Sequence, residues 1–260
     1  MHDLKITVLG SVNLDIVATV ERFPVPGETL TNATVKRFPG GKGANQALAA
    51  HRLGARVSLL ACVGDDPVSE EALAGLRSEG VDLDRCCVLD GISTGLALIL
   101  VAGDGENQIV VAPGANAAFT PEKLDLPDAD AVIAQLEVPI ETVLKCAQET
   151  NGFFCLNAAP ARPVPTALLD HIDLLVVNET EARAMGSALD AYSGWLAVTH
   201  GGRGAVLSHK GVENIHASPP KVLAIMRIKP REILVSLLIV YSIVSSCCKM
   251  SSIIFLFVCI

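Results

Sequence analysis

Short apolar runs alternate with polar stretches of helical spacing along most of the chain. Residues 5–10 and 56–63 are dominated by Ile, Val, Leu and Ala, and the same character returns at 131–136, 153–156, 174–177, 195–198 and 205–208. Such runs read as strands of a sheet that is buried on both faces. Residues 46–53 read as a helix closed by Gly54. Residues 69–79 read as a second, with Leu73 and Leu76 on one face and Gly80 as its stop, and 140–150 as a third. A short helix follows residue 178. Strand and helix in alternation predict a mostly parallel sheet covered by helices, an α/β fold.

Two regions break this rhythm. Residues 16–20 and 29–37 alternate only weakly around a turn at 22–27. Residues 94–101 and 108–111 are joined by a segment with Asp104-Gly105 at its tip, a strong hairpin signal. These strands are too polar for the centre of a parallel sheet. They predict a small sheet standing apart, from about 15–37 and 94–112, after which Pro113-Gly114-Ala115-Asn116 returns the chain to the main body.

Candidate chemistry sits where strands end. Phe38-Pro39-Gly40-Gly41-Lys42-Gly43-Ala44-Asn45 places three glycines within four positions, just before a helix. Glycine admits positive φ and close approach, and a helix start offers unpaired N–H groups. The corner can receive an oxygen-rich ligand; a tight turn without a ligand explains the same residues. It is not a Walker A loop, which needs G-x-x-x-x-G-K-[ST]. Asn13 and Asp15 lie two apart and so share one side of an extended strand. That suits hydrogen bonds to a polyol, and equally an Asx turn. Glu137, Asn178, Glu181 and Thr199 also follow strands directly, where open parallel sheets bind ligands. Each has a plainer reading. Glu137 can cap a loop, Asn178 and Glu181 fit a capping box, and 199–204 fits a hairpin turn.

Composition narrows the classes. A chain of 260 residues accommodates one large α/β domain or two small ones. A net charge of −8 with 4% aromatic residues argues against nucleic acid as a partner. The eight cysteines form no C-x-x-C, and no histidine pair stands at zinc spacing, so they read as thiols of a reducing compartment. No charged and apolar leader precedes the first strand, and a cytoplasmic location is expected.

Taken in order, these stretches resemble the ribokinase branch of the PfkB sugar-kinase family, from about residue 5 to 221. Gly10-Ser11-Val12-Asn13-Leu14-Asp15 resembles its first sugar-binding segment and Gly40-Gly41-Lys42-Gly43-Ala44-Asn45 its glycine corner. Pro113-Gly114-Ala115-Asn116 and Gln135-Leu136-Glu137 match further stretches. Asn178-Glu179-Thr180-Glu181 resembles the N-x-x-E motif, and Thr199-His200-Gly201-Gly202-Arg203-Gly204 the T-x-G-x-x-G nucleotide loop.

The resemblance implies a ribokinase-like, Rossmann-like sheet with a β-sheet lid, and ATP-dependent phosphorylation of ribose at its 5-hydroxyl. It implies sugar contacts from Asn13, Leu14, Asp15, Gly41, Lys42, Gly43, Ala44, Asn45 and Glu137. It implies ATP contacts from Asn178, Thr199, His200, Gly201, Gly202, Arg203 and Gly204, and Mg²⁺ organised through water by Glu181. A monovalent cation such as K⁺ and a homodimer formed through the lid are further family features.

Two departures qualify this. Asn178 and Thr199 are 21 positions apart, shorter than the family pattern, so a helical layer is expected to be missing or shrunken. After Lys221 the family's G-A-G-D motif, which supplies the catalytic Asp and the anion hole, does not occur. Ala102-Gly103-Asp104 lies on the lid hairpin and opens no helix. Residues 222–260 instead form a hydrophobic tail, with Lys249 the one charge among 233–260. That length can span a bilayer, but Lys249 near its middle is costly there. The other reading is translated non-coding sequence, with the C-terminal helices missing and the chain inactive. The remaining alternatives are a catalytically dead sugar- or nucleotide-binding protein, membrane-tethered if the tail is real, and another PfkB sugar or nucleoside kinase.

Overall fold

A computed structural model describes residues 4–210 and 212–217. The elements are β1 (Lys5–Leu9), β2 (Asn13–Thr19), β3 (Thr34–Gly40), α1 (Lys42–Arg52), β4 (Arg56–Gly64), α2 (Pro67–Glu79), β5 (Cys86–Leu89), β6 (Gly95–Val101), β7 (Asn107–Ala112), β8 (Ala131–Gln135), α3 (Ile140–Glu149), β9 (Phe153–Asn157), α4 (Thr166–Leu169), β10 (Leu174–Asn178), α5 (Glu179–Met185), β11 (Trp195–Thr199), β12 (Ala205–His209) and β13 (Val212–Ala217).

Among the described residues nine strands form the main sheet, in the order β13-β12-β11-β10-β9-β8-β1-β4-β5. The seven from β5 to β11 pair in parallel, while β12 and β13 close one edge antiparallel. The central strands are buried on both sides, as their unbroken apolar sequences require; Ile6, Val8 and Leu9 of β1 are at most 1% exposed. Ile6 and Val8 face a core completed by Ala44, Ala47 and Ala50 of α1 and Leu73 and Leu76 of α2. Leu9 faces the opposite core, completed by Val143 and Cys146 of α3, Leu168 and Leu169 of α4 and Met185 of α5. Among the described residues no other helix adds to the first face.

The order of pairing creates a switch point. From β1 the chain next enters the sheet at β4 on one side and later at β8 on the other. The crevice beyond the carboxyl ends of β1 and β8 is where such sheets hold ligands.

The second sheet is the expected lid, in the order β3-β2-β6-β7. Its two middle strands, β2 and β6, run parallel, with Asn13 beside Gly95 at the base. The hairpin at Asp104-Gly105 joins β6 to β7, so Asp104 belongs to the lid tip.

Several boundaries differ from expectation. The first helix starts at Lys42 rather than 46, because the glycine corner is itself its first turn. The strand expected at 29–37 occupies Thr34–Gly40, as antiparallel pairing with β2 sets its span. β5 and β13 are additional strands. Between β10 and β11 stand only the seven residues of α5 and a 3-10 turn, Gly186–Ala188, in keeping with a shrunken helical layer. No helix of the described residues is long and apolar enough to cross a membrane. The tail at 222–260 lies outside the described residues.

Candidate active site

The glycine corner is built by close backbone contact. Gly41 takes φ 93° as the residue before α1 and carries no side-chain cap. A Cβ on Gly43 would lie 2.6 Å from the Gly10 carbonyl carbon and the Ser11 nitrogen, so only glycine lets α1 dock against the end of β1. The caps come from distant elements. The Glu137 carboxylate accepts the Lys42 N–H at 3.2 Å, and the Ser11 hydroxyl accepts the Gly43 N–H at 3.4 Å. The Ala44 N–H donates to the Ser11 carbonyl at 2.9 Å. The sequence reading of this corner as a set of free N–H donors is therefore corrected. A carboxylate from the protein already occupies the positive end of the helix, where anions are favoured.

Glu137 divides its two oxygens between tasks. Oε2 accepts the Ser11 hydroxyl at 2.5 Å as well as the Lys42 N–H. Oε1 has the Lys42 ammonium 3.8 Å away and, among the described residues, no closer partner. The loop-capping role and a ligand-facing role are thus both available to one side chain.

Asp15 and Asn13 lie on the same side of β2. Asp15 is partly buried, and its pKa is raised from 3.8 to about 6, first by burial and then by the charge of Glu137, with Lys42 opposing. A Cβ on Gly40 would overlap the Asp15 carboxylate, which explains glycine at the end of β3. Leu14 points to the other side of β2 and is completely buried. Alternation along a strand turns its side chain away from those of Asn13 and Asp15, so of its groups only the backbone is on offer to the sugar expected there. Asn45 is exposed on α1.

Two residues outside the expected contacts complete this end. One is Ser11, the link between Glu137 and α1. The other is Asn116, which is 1% exposed and bonds to both the N–H and C=O of Val12 and to the Asn13 side chain. Both stand in stretches the sequence singles out, but only long-range pairing reveals their roles.

The second group of candidates collects at the ends of β10 and β11, where Asn178 pairs in register with Thr199. The capping box is present. Asn178 Oδ1 accepts the N–H groups of Thr180 and Glu181 at 2.9 and 2.8 Å, and Glu181 Oε2 accepts the Asn178 N–H at 2.7 Å. Glu181 is buried. Thr199 Oγ1 donates to the Val177 carbonyl at 3.4 Å. The loop that follows is a hairpin turn between the antiparallel β11 and β12. Gly201 and Gly202 leave its surface open, since a Cβ on either would meet nothing within 4 Å. Gly204 is buried at the start of β12. His200 Nδ1 lies 2.9 Å from Glu179 Oε1, which also pairs with Arg203. These bonds hold the Glu179 pKa below its usual value. Among the described residues no three His, Cys, Asp or Glu side chains converge as a metal ligand set.

Comparison with known proteins supports the fold and gives the family. Residues 3–225 match the model of the pfkB family carbohydrate kinases. The chain is 37% identical over 233 residues to the ribokinase of Haemophilus influenzae, covering 81% of this chain and 76% of that protein. It is 36% identical over 230 residues to the Bacillus subtilis ribokinase, covering 83% and 78%. The structure of Arabidopsis thaliana ribokinase complexed with ribose and ATP superimposes with a TM-score of 0.79 at 26% identity, over 97% of this chain and 89% of that one. On the family match and these identities, the chain belongs to the PfkB family of carbohydrate kinases, a family of phosphotransferases.

Proposed function

We propose that this chain carries the binding apparatus of a ribose kinase. Ribose occupies the crevice beyond β1 and β8, and ATP lies over the ends of β10 and β11. The observation that supports this most is the convergence at one switch point of Asp15 and Asn13 from the lid, Glu137 from the bend after β8 and the glycine corner of α1. Two carboxylates and an amide in one half-buried cleft suit a neutral molecule rich in hydroxyl groups. Charge-assisted hydrogen bonds to Asp15 and Glu137 are worth about 1.5–3 kcal/mol each. The relatives' names and the ribose and ATP of the Arabidopsis complex point the same way.

On the nucleotide side, Gly201 and Gly202 give the phosphates access to open backbone, while Arg203 and His200 supply donors. Glu181 would hold Mg²⁺ at this end through water, since Mg²⁺ keeps several of its waters. Bound there, it offsets phosphate charge. One face of the lid exposes Val110 (67%), Val35 (61%) and Leu98 (49%), and a second copy of this chain is the partner we assign to that surface. Val110→Asp then yields monomer in sedimentation experiments.

Within residues 1–260 no G-A-G-D supplies a base for the sugar hydroxyl. Loss of a positioned base costs about 10²–10⁴-fold, and each lost anion-hole donor about 10²–10³-fold more. The 260-residue chain is therefore expected to bind ribose without phosphorylating it. The test is calorimetry with ribose, fructose and adenosine, beside an assay for ribose 5-phosphate. Binding of ribose that falls at least tenfold in Asp15→Ala, with no product, is expected. Turnover near one per second, a common enzyme value, overturns the inactivity. Preference for adenosine or fructose favours another PfkB kinase.

A further inference from the structure

One buried carboxamide sets the hydrogen-bonding sense of the cleft. The Val12 backbone N–H can only donate, and it donates to Asn116 Oδ1 at 2.9 Å. This orients the Asn116 amide. Its Nδ2 must face the Val12 carbonyl at 3.0 Å and Asn13 Oδ1 at 2.8 Å, donating one proton to each. Asn13 consequently turns its oxygen towards Asn116, and its own NH₂ group faces the other way. The arrangement is enclosed: Asn116 is 1% exposed and Asn13 4%. Gly95 makes room for it, since a Cβ there would overlap both the Asn116 amide nitrogen and Asn13 Oδ1. Among the described residues Asn13 Nδ2 has no hydrogen-bond partner. The residual exposure of Asn13 leaves this donor open to a ligand in the cleft.

We propose that Asn116 is a positioning residue that determines specificity: by holding the Asn13 oxygen, it presents Asn13 to the sugar as a donor only. The inference rests on the reading of the cleft as a sugar site. An ionised Asp15, two residues along the same side of β2, only accepts. The sugar must therefore offer a lone pair at Asn13 and an O–H at Asp15. These demands differ. A hydroxyl replaced by fluorine keeps weak accepting power and loses all donating power. At the position facing Asn13 a fluoro sugar binds better than the deoxy sugar, whereas at the position facing Asp15 the two are equally poor.

The test uses the full chain, with ribose and its singly deoxy and deoxyfluoro analogues, in calorimetry. Asn13→Asp is isosteric, keeps an acceptor for Asn116 and replaces the donor facing the sugar by an acceptor. It should weaken ribose at least tenfold and abolish the preference for fluoro over deoxy at one position. Asn116→Asp should turn Asn13 round and reproduce both effects. Ribose binding that is unchanged or tighter in Asn13→Asp overturns the inference and leaves the sugar site standing. A parent chain that binds no ribose overturns the sugar site instead. The orientation is then decided in the ligand-free protein by exchange of side-chain amide protons. Slow exchange at Asn116 with fast exchange at Asn13 is expected, and the reverse order overturns the assignment.

Discussion

Glu137 and Ser11, 126 positions apart, are joined by a 2.5 Å hydrogen bond from the serine hydroxyl to the carboxylate across the ends of β8 and β1. The same oxygen caps α1 through the Lys42 N–H. Glu137→Gln keeps an acceptor for both groups, while Glu137→Ala leaves both without one. Relative to Glu137→Gln, the alanine variant should lose about 1–3 kcal/mol in urea unfolding, the cost of stranding buried donors. Equal stability of the two would remove the capping role.

Asp15 gives the cleft a pH signature. Its pKa rises from 3.8 to about 6 in the folded state, so between those values the folded chain binds more protons than the unfolded one. Its contribution to stability is full below pH 3.8 and is lost as pH rises through about 6. Asp15→Asn should therefore stabilise the protein at pH 7.5 and leave stability at pH 3.5 unchanged. The shift sets a ceiling of about 3 kcal/mol, and solvent screening of a partly exposed group reduces the expected gain to about 1–2 kcal/mol. Glu137→Gln, by removing a like charge, should also lower the Asp15 pKa in an NMR titration. An asparagine variant that gains nothing at pH 7.5 refutes this account.

For Glu181 the two roles separate by substitution. Glutamine at the third helical position still completes a capping box, whereas alanine cannot. Glu181→Gln should unfold like the parent but bind Mg²⁺–ATP several-fold more weakly. Glu181→Ala should lose about 0.5–2 kcal/mol of stability as well, the range for lost caps. Unchanged Mg²⁺–ATP affinity in the glutamine variant would take Glu181 out of the nucleotide site.

Glycine at 43 is a packing requirement. Gly43→Ala would set a Cβ against the backbone of Gly10 and Ser11, and about 1–3 kcal/mol of destabilisation is expected, as for other overpacked cores. Gly75, within α2, is the control: nothing lies within 4 Å of its added Cβ, and Gly75→Ala should stabilise by up to about 1 kcal/mol. Thermal denaturation of the two variants decides whether close approach, rather than flexibility, is what the corner needs.

The thiols rank by accessibility. Burial pushes Cys86 and Cys146 up to about 12 and also raises Cys155 and Cys62 well above the ordinary thiol value. Among the described cysteines, Cys87 should be the first alkylated at pH 7.5, as read by mass spectrometry of a brief iodoacetamide pulse. Preferential labelling of Cys155 would mean that β9 is not interior.

The sheet was legible because its strands are continuous apolar runs and its helices carry their own signals. Asp66 caps α2 locally, Pro67 starts it and Gly80, at φ 92°, ends it. The true start of α1 was not legible, since its caps come from Ser11 and Glu137, 32 and 95 positions away. The four residues of β5 are too few to announce a strand, and the polar Val212–Ala217 gives no apolar run. Asn13 and Asp15 were legible as a pair because strand geometry alone aligns them. The same geometry turns the side chain of Leu14 the other way. Asn116 stood in view within Pro113–Asn116, yet its meaning depends on a backbone N–H 104 positions earlier.

Asn13 and Asp15 ride on a lid strand, while Glu137 follows β8 of the main sheet. A sugar gripped by all three works as a rivet between two bodies, and any tilt of the lid changes the spacing of its jaws. Measured affinity therefore contains the free energy of bringing the lid to its gripping angle, in addition to the contacts themselves. Substitutions far out on β3 or β7 that alter the resting angle will shift apparent affinity without touching a residue of the cleft. Selection for a different sugar has in these outer strands a dial that leaves the jaws intact.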